Sequence, residues 1–242
     1  MLKPKIYFSF FSRVFLTSLI LLTGFVMTTS SQTPDFGLWS EVGVSKKIND
    51  TISVFLDAEF RLRNELKTVN KFQTTLGLDY KLNDYFKVGT SYTLINYYHP
   101  GNKSHDYKNY WETRHRLNLF GEGEYEIKRI TFSLKERLQA TYRMLDSVST
   151  AKVNPKFIAR TKLTVSYNIR RTPIEPYATC ELFHVLNGPD KMTIEEFRLG
   201  GGVKYKLSKN LSVKAGYIYS NEIDPEEGEL ANVATIGISY KL

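Results

Sequence analysis

The stretch TISVFLDAEFRLR, residues 51–63, repeats with a period of two: Ile52, Val54, Leu56, Ala58, Phe60 and Leu62 fall on one phase, and Asp57, Glu59, Arg61 and Arg63 on the other. Successive side chains of a strand point to opposite faces, so as a strand this segment is aliphatic on one side and densely charged on the other. A half-buried strand of a soluble sheet has such a pair of faces. A wall between acyl chains and a wet lumen has one too.

The same alternation recurs to the C-terminus. Phe72, Leu76, Leu78 and Tyr80 oppose Gln73, Thr75, Asp79 and Lys81, and Ile130, Phe132, Leu134, Leu138 and Tyr142 oppose Lys135, Arg137, Gln139 and Arg143. Eleven strand candidates follow, at 37–47, 50–62, 70–82, 85–97, 110–127, 129–144, 157–168, 174–186, 194–207, 210–221 and 231–242, and no segment sustains helical spacing. Glu136 alone breaks the pattern, standing on the apolar phase between Leu134 and Leu138. It implies an interface position, a bulge or a local phase error.

The first 31 residues have the layout of an export signal. Lys3, Lys5 and Arg13 precede an apolar run from Val14 to Met27, and Thr29, Ser30 and Ser31 supply the small residues for cleavage before Gln32. The run is shorter than the ~20 residues of a spanning helix, which weighs against an uncleaved anchor. Residues 32–242 then form one domain. Nothing in it approaches a transmembrane helix, and the whole chain has a mean hydropathy of -0.31, so it is soluble or crosses a membrane as strands.

The full chain carries a net charge of +8; the signal segment holds three basic residues and no acidic one, which leaves +5 for the remainder. Basic and acidic residues are interspersed, without the one-sided basic face of a nucleic-acid binder. Cys180 is the only cysteine, so an intramolecular disulfide framework and a cysteine-based metal site are excluded.

Connections fall into two alternating classes. Tight turns are expected at 48–50, 83–84, 128–129, 170–172 and 208–209, and longer polar loops at 63–69, 98–109, 145–156, 187–193 and 222–230. GLDYKLNDYFKV (77–88), GVKYKLSKNLSV (202–213) and GVSKKINDTISV (43–54) are near copies of one hairpin at the trimmed end. Tyr80, Phe86, Tyr125, Tyr167, Tyr205 and Tyr240 would stand at one height on the apolar face, as an aromatic belt at a membrane interface does. Together these features favour a lipid-facing barrel over a soluble lipid-carrying one. The expected fold is all-β: a transmembrane up-and-down antiparallel β-barrel of ten to twelve strands. Eleven strands would start the first at the outer rim, so either the first lies outside the closed wall, leaving ten, or a short strand is missed, making twelve; the expectation stays at ten to twelve.

The polar phase then points into the lumen. Its charged members are Asp57, Glu59 and Arg61, then Glu112, Arg114, Arg116, Glu122 and Glu124, and further along Arg137, Arg160, Lys162, Glu181 and Arg198. In a narrow barrel these form an ion-paired network, either a plug of side chains or a polar pore for small polar solutes. No cofactor is implied. Catalysis would need a histidine with serine and carboxylate partners; His99 and His105 lie in a loop, His184 lies near a rim, and His115 is the least implausible candidate. The acidic run Asp224, Glu226, Glu227 and Glu229 reads as a solvated loop, and Gly200, Gly201 and Gly202 as close backbone packing within a strand.

The last strand, NVATIGISYKL, resembles the C-terminal signal of bacterial outer-membrane barrels, with Tyr240 two places before the terminal hydrophobe Leu242, where the usual residue is Phe. That resemblance implies barrel-assembly machinery as a partner. Trp39, the KIND and YKLN turns, EFRLRNE at 59–65 and the terminal Tyr-Lys-Leu resemble, together with the export signal, the outer-membrane barrel families of Bacteroidota that are domains of unknown function. The resemblance implies a Gram-negative outer-membrane location among outer-membrane lipid, and no established activity.

Overall fold

The computed structural model describes residues 35–101, 108–144, 153–189, 191–222 and 231–242. The export-signal reading of 1–31, His105 and the acidic run at 224–229 lie outside these residues. The regular structure among the described residues is strand: β1 (Asp35–Lys47), β2 (Ile52–Arg63), β3 (Thr68–Lys81), β4 (Phe86–His99), β5 (Tyr110–Ile127), β6 (Ile130–Arg143), β7 (Lys156–Tyr167), β8 (Ile174–Val185), β9 (Ile194–Lys206), β10 (Leu211–Glu222) and β11 (Ala231–Lys241). Each pairs antiparallel with the next, and the wall closes.

Closure fixes the count at eleven, within the expected ten to twelve, and answers how an odd number fits. β1 and β11 run the same way and pair in parallel, from Asp35 opposite Ala231 to Ser45 opposite Lys241. Parallel bonding is slightly weaker per residue than antiparallel. It nevertheless leaves no strand edge, and in hydrocarbon an open edge costs several kcal/mol per unpaired group. The odd count is therefore met by one parallel seam rather than by a lost or added strand.

The faces sort as the alternation predicts. Leu117 and Leu119 are each 62% exposed while Arg114 and Asn118 on the same strand are 4% and 2% exposed. A soluble sheet would reverse those figures. The outward band carries Leu56, Leu76, Leu134, Leu138 and Ile236, all exposed, and the belt residues Tyr80, Phe86, Tyr125, Tyr167, Tyr205 and Tyr240 are exposed near the turn end of their strands. An aliphatic outer wall and a polar interior suit a bilayer, where lipid solvates the first and encloses the second.

The repeated hairpin has a common physical cause. Asn49 Oδ1 accepts the N–H groups of Thr51 and Ile52 at 2.9 and 2.7 Å, Asn83 Oδ1 those of Tyr85 and Phe86 at 2.8 and 2.9 Å, and Ser208 Oγ those of Asn210 and Leu211 at 3.2 and 3.0 Å. Asn and Ser recur at this position because each side-chain oxygen replaces a backbone acceptor within the turn. At the opposite end the β2–β3 connection, residues 64–67, is shorter than expected. Asn64, Glu65 and Leu66 all have positive φ (55°, 53° and 67°), and the Asp35 carboxylate accepts the N–H groups of Asn64 and Glu65 at 2.6 and 3.0 Å. The two classes of connection are thus less distinct than their sequences indicate.

Two bulges sit toward the loop end, one where β2 meets β3 between Arg61 and Leu62, the other where β8 meets β9 between Phe183 and His184. β6 has none with either neighbour, so Glu136 truly lies on the outward phase, exposed, accepting a hydrogen bond from the Thr161 hydroxyl at 2.9 Å. Inside, Phe55 and Phe120 lie flat over Gly77 and Gly89: a Cβ on either glycine would fall within 2.5 Å of a ring carbon. Glycine there lets the ring cover the strand backbone.

A direct test of the outward assignment is Leu117→Arg. A basic side chain facing the bilayer midplane should lower folding stability by about 2–4 kcal/mol in a urea titration of the lipid-reconstituted barrel, whereas Leu117→Ile should stay within about 0.5 kcal/mol of the parent.

Candidate functional site

The lumen is built from the inward phase of every strand and encloses a cavity of about 610 Å³. Its side chains divide into two unlike halves. On the β7–β9, β1 and β2 side, arginines and aromatic rings alternate around the wall. The Arg61 guanidinium lies 3.5 Å from the centre of the Trp39 ring, Arg198 lies 4.8 Å from Trp39 and 4.6 Å from Phe183, and Arg160 lies 4.8 Å from Phe183. Planar guanidinium groups stack on ring faces, each such contact contributing roughly 0.5–2 kcal/mol depending on desolvation.

Carboxylates hold the edges of that stack. Glu59 accepts from Arg61 and, at 3.0 Å, from Gln73. Glu196 accepts from Arg198 and, at 2.5 Å, from the Ser220 hydroxyl. Glu181, with a side chain only 5% exposed, takes Arg160 and Lys162 each at 2.7 Å and Arg198 at 3.8 Å. Three cations converge on one carboxylate from two flanking strands, β7 and β9, because Lys162 and Arg198 are its cross-strand partners and Arg160 is one inward position from Lys162.

The β3–β6 half is organised differently. Arg114 grips Glu112 through two bonds of 2.7 and 3.0 Å, and His99 Nε2 reaches the same carboxylate at 2.9 Å. Lys71 Nζ donates to the Tyr97 hydroxyl at 2.9 Å, and Arg116 Nε to the Thr141 hydroxyl at 2.9 Å. Asn118 bridges the Ser91 hydroxyl at 3.1 Å and the Gln139 amide at 3.0 Å. Nearer the turn end, Glu122 holds Lys87 and Lys135, both at 3.2 Å.

Of the charged residues singled out from the alternation, Asp57, Glu59, Arg61, Arg114, Arg116, Arg137, Arg160, Lys162, Glu181 and Arg198 line the cavity. Glu112 lies on the inward phase beyond Arg114 toward the loop end, and Glu122 lies toward the turn end in its own cluster. Glu124, one inward position further on, is exposed at the rim.

Other lumenal groups escape a simple period-two reading. The β8–β9 bulge skips Glu195 in the pairing, and both Glu195 and Glu196 line the cavity, Glu195 bound to Lys156. The β2–β3 bulge does the same for Asn70 and Lys71. Trp39, Phe55, Phe120 and Phe183 are inward aromatics on a phase otherwise read as polar; the glycines opposite two of them, Gly77 and Gly89, were the available signal. Gly202 takes the Tyr177 hydroxyl against its backbone, since a Cβ there would sit 2.7 Å from that oxygen, consistent with close packing. His115 faces outward, its Nδ1 2.5 Å from the Tyr92 hydroxyl, and His184 lies on β8 opposite Ala159 near the loop end.

A closed barrel with an aliphatic exterior and an ion-paired interior defines a membrane-spanning β-barrel with a polar bore. The chain belongs to the DUF2490 family, described as a protein of unknown function, which matches residues 36–230. A comparison with curated proteins finds no match. Among solved structures the barrel is similar to the NanC porin, at 16% identity and a TM-score of 0.53, covering 86% of this chain and 98% of that one. It is also similar to the translocator domain of the autotransporter NalP from Neisseria meningitidis, at 15% identity, a TM-score of 0.49, and coverage of 92% and 95%. At these identities the likeness to the NanC porin is one of fold.

Removing Glu181 should expose how much the stack depends on it. Glu181→Gln leaves three lumenal cations without their shared carboxylate and should cost about 3–5 kcal/mol, read as a lowered midpoint in thermal unfolding followed by electrophoretic mobility. Glu175→Gln, whose partner Lys206 at 2.7 Å is half exposed, should cost less than about 1 kcal/mol.

Proposed function

We propose that the protein is a narrow-bore channel of the Gram-negative outer membrane that passes small polar solutes. The observation that carries this reading is the reach of the cavity: its lining runs from Asp35 and Arg63 at the loop end to Ser166, Lys204 and Ser239 near the turn end. Rings of fixed charge along such a path select among solutes by sign and size. The family resemblance supports the outer-membrane location and a source among the Bacteroidota barrels, and implies no activity of its own.

Outer-membrane lipid is then the solvent of the aliphatic wall. The final strand is the element the assembly machinery would engage; Ala234, Ile236, Ile238 and Tyr240 share its outward phase with Leu242, whose N–H donates to Ser45 O at 2.8 Å across the seam.

A second reading, a structural barrel plugged by its own side chains, draws on the Asn118, Ser91 and Gln139 network and the Glu181 cluster, which tie much of the lumen together. A lipid-modifying activity has less behind it. His115 has a tyrosine partner, and the described contacts give it no carboxylate.

Planar-bilayer recording separates the first two. The purified full-length chain should produce stepwise single-channel currents in potassium chloride; silence across repeated insertions would favour the plugged barrel.

A further inference from the structure

The two halves of the lumen are unequally balanced. On the β7–β9, β1 and β2 side each arginine of the aromatic stack has a carboxylate: Glu59, Glu181 or Glu196. On the other side, Lys71 on β3, Arg116 on β5 and Arg137 on β6 have no carboxylate within ion-pair distance among the described residues. Their hydrogen-bond partners are neutral hydroxyls for Lys71 and Arg116, and the buried Arg137 Nε has no partner among the described residues.

Two of the nearby acids are committed elsewhere. Glu112 holds Arg114 and His99, and Glu122 holds Lys87 and Lys135. Besides the Tyr97 hydroxyl, the charged groups that act most strongly on Arg116 are the cations Arg160, Arg61 and Arg114. Lys71 likewise faces Arg61 and Arg116, with Glu59 as the acid that reaches it from beyond ion-pair distance. Arg137 faces Arg160 and Arg116, with Glu181 and Glu122 as the acids that reach it from beyond ion-pair distance. Among the described residues Asp57 is a lumenal carboxylate without an ion pair, and its strongest charged neighbour is another acid, Glu41, ahead of Lys135 and Arg137.

We propose that Lys71, Arg116 and Arg137 form a binding site inside the lumen for a small polyanion bearing carboxylate or phosphate groups. All three line the same cavity, and Arg116 is among the cations acting on both Lys71 and Arg137; like charges repel in a medium of lowered dielectric, and a multivalent oxyanion relieves that repulsion. Guanidinium forks match the planar oxygens of carboxylate and phosphate, and the ammonium adds a point charge. The side chains are held in place for such a ligand by Tyr97, by Thr141 and by the packing of Arg137 toward the Phe120 ring, 6.0 Å away. The site rests on the channel reading only in taking the lumen as open to solute.

The test is calorimetric titration of the full-length chain in detergent at low ionic strength, with citrate and inorganic phosphate as separate probes and glucose as the neutral control. The parent should bind at least one of the two anions and not glucose; which one it prefers distinguishes a carboxylate from a phosphate ligand. Arg116→Gln and Lys71→Gln should each weaken binding by about tenfold or more, with folding checked by heat-modifiable electrophoretic mobility. Lys81→Gln, at the turn end of β3 and paired with Asp84, should bind as the parent does. Equal affinity in the parent and the lumenal variants, or failure of the parent to bind either anion, would overturn the site. Anion binding alongside silent bilayers keeps the site and removes the channel, and conductance without anion binding does the reverse.

Discussion

In hydrocarbon an unpaired backbone amide has no water to turn to, and that deficit sets everything else in this barrel. It forces each strand edge to be paired, and so forces closure. Closure in turn divides all side chains into those that meet lipid and those that meet the lumen, with no third class beyond the rims. The parallel seam between β1 and β11 shows how strong the requirement is. An odd strand number that would leave a mismatch in a purely antiparallel wall is accommodated by a run of parallel pairing from Asp35 to Ser45, at a small loss per residue.

Once the outer face is given to lipid, the charged phase has nowhere else to go. Enclosing so many ions would be ruinous without partners, and the lumen meets that demand by sharing: one carboxylate, Glu181, serves three cations, and Trp39 and Phe183 each lie against two guanidinium groups. The bulges contribute by adding polar groups where regular alternation would supply only every second residue. Glu195 and Glu196 both reach the cavity for this reason, and Lys156 gains a partner. Where sharing stops, around Lys71, Arg116 and Arg137, the electrostatics become one-sided.

Much of this was legible in the chain. Strand positions follow from the two-residue alternation because a pleated backbone imposes that period without reference to tertiary context, and the hairpin repeat follows from the placement of Asn49, Asn83 and Ser208. The position of Glu136 was legible too, although it looked like an error: β6 is regular, and the carboxylate does face outward beside Thr161. What could not be read was anything set by register between strands. Which cation meets Glu181, and that Glu195 turns inward, depend on pairing offsets and bulges that a single strand does not encode. The odd strand count was in plain view and was discounted because a parallel closing pair is invisible to a rule built on antiparallel hairpins. The inward Trp39, Phe55, Phe120 and Phe183 carried a weak signal, since their polar-phase positions contradict a purely charged lumen.

The direction in which the aliphatic rows point is the claim on which the rest stands, and lipid-borne quenching measures it most directly. Single cysteines at Leu56, Leu76 and Leu134, each in a Cys180→Ser background, would be coupled to an environment-sensitive fluorophore and the barrel reconstituted with lipids brominated on their acyl chains. Strong quenching at all three positions, with little at Thr75 or Ser91 on the inward phase, is the predicted result; quenching of the inward positions while the leucine sites stay dark to the lipid would contradict the account.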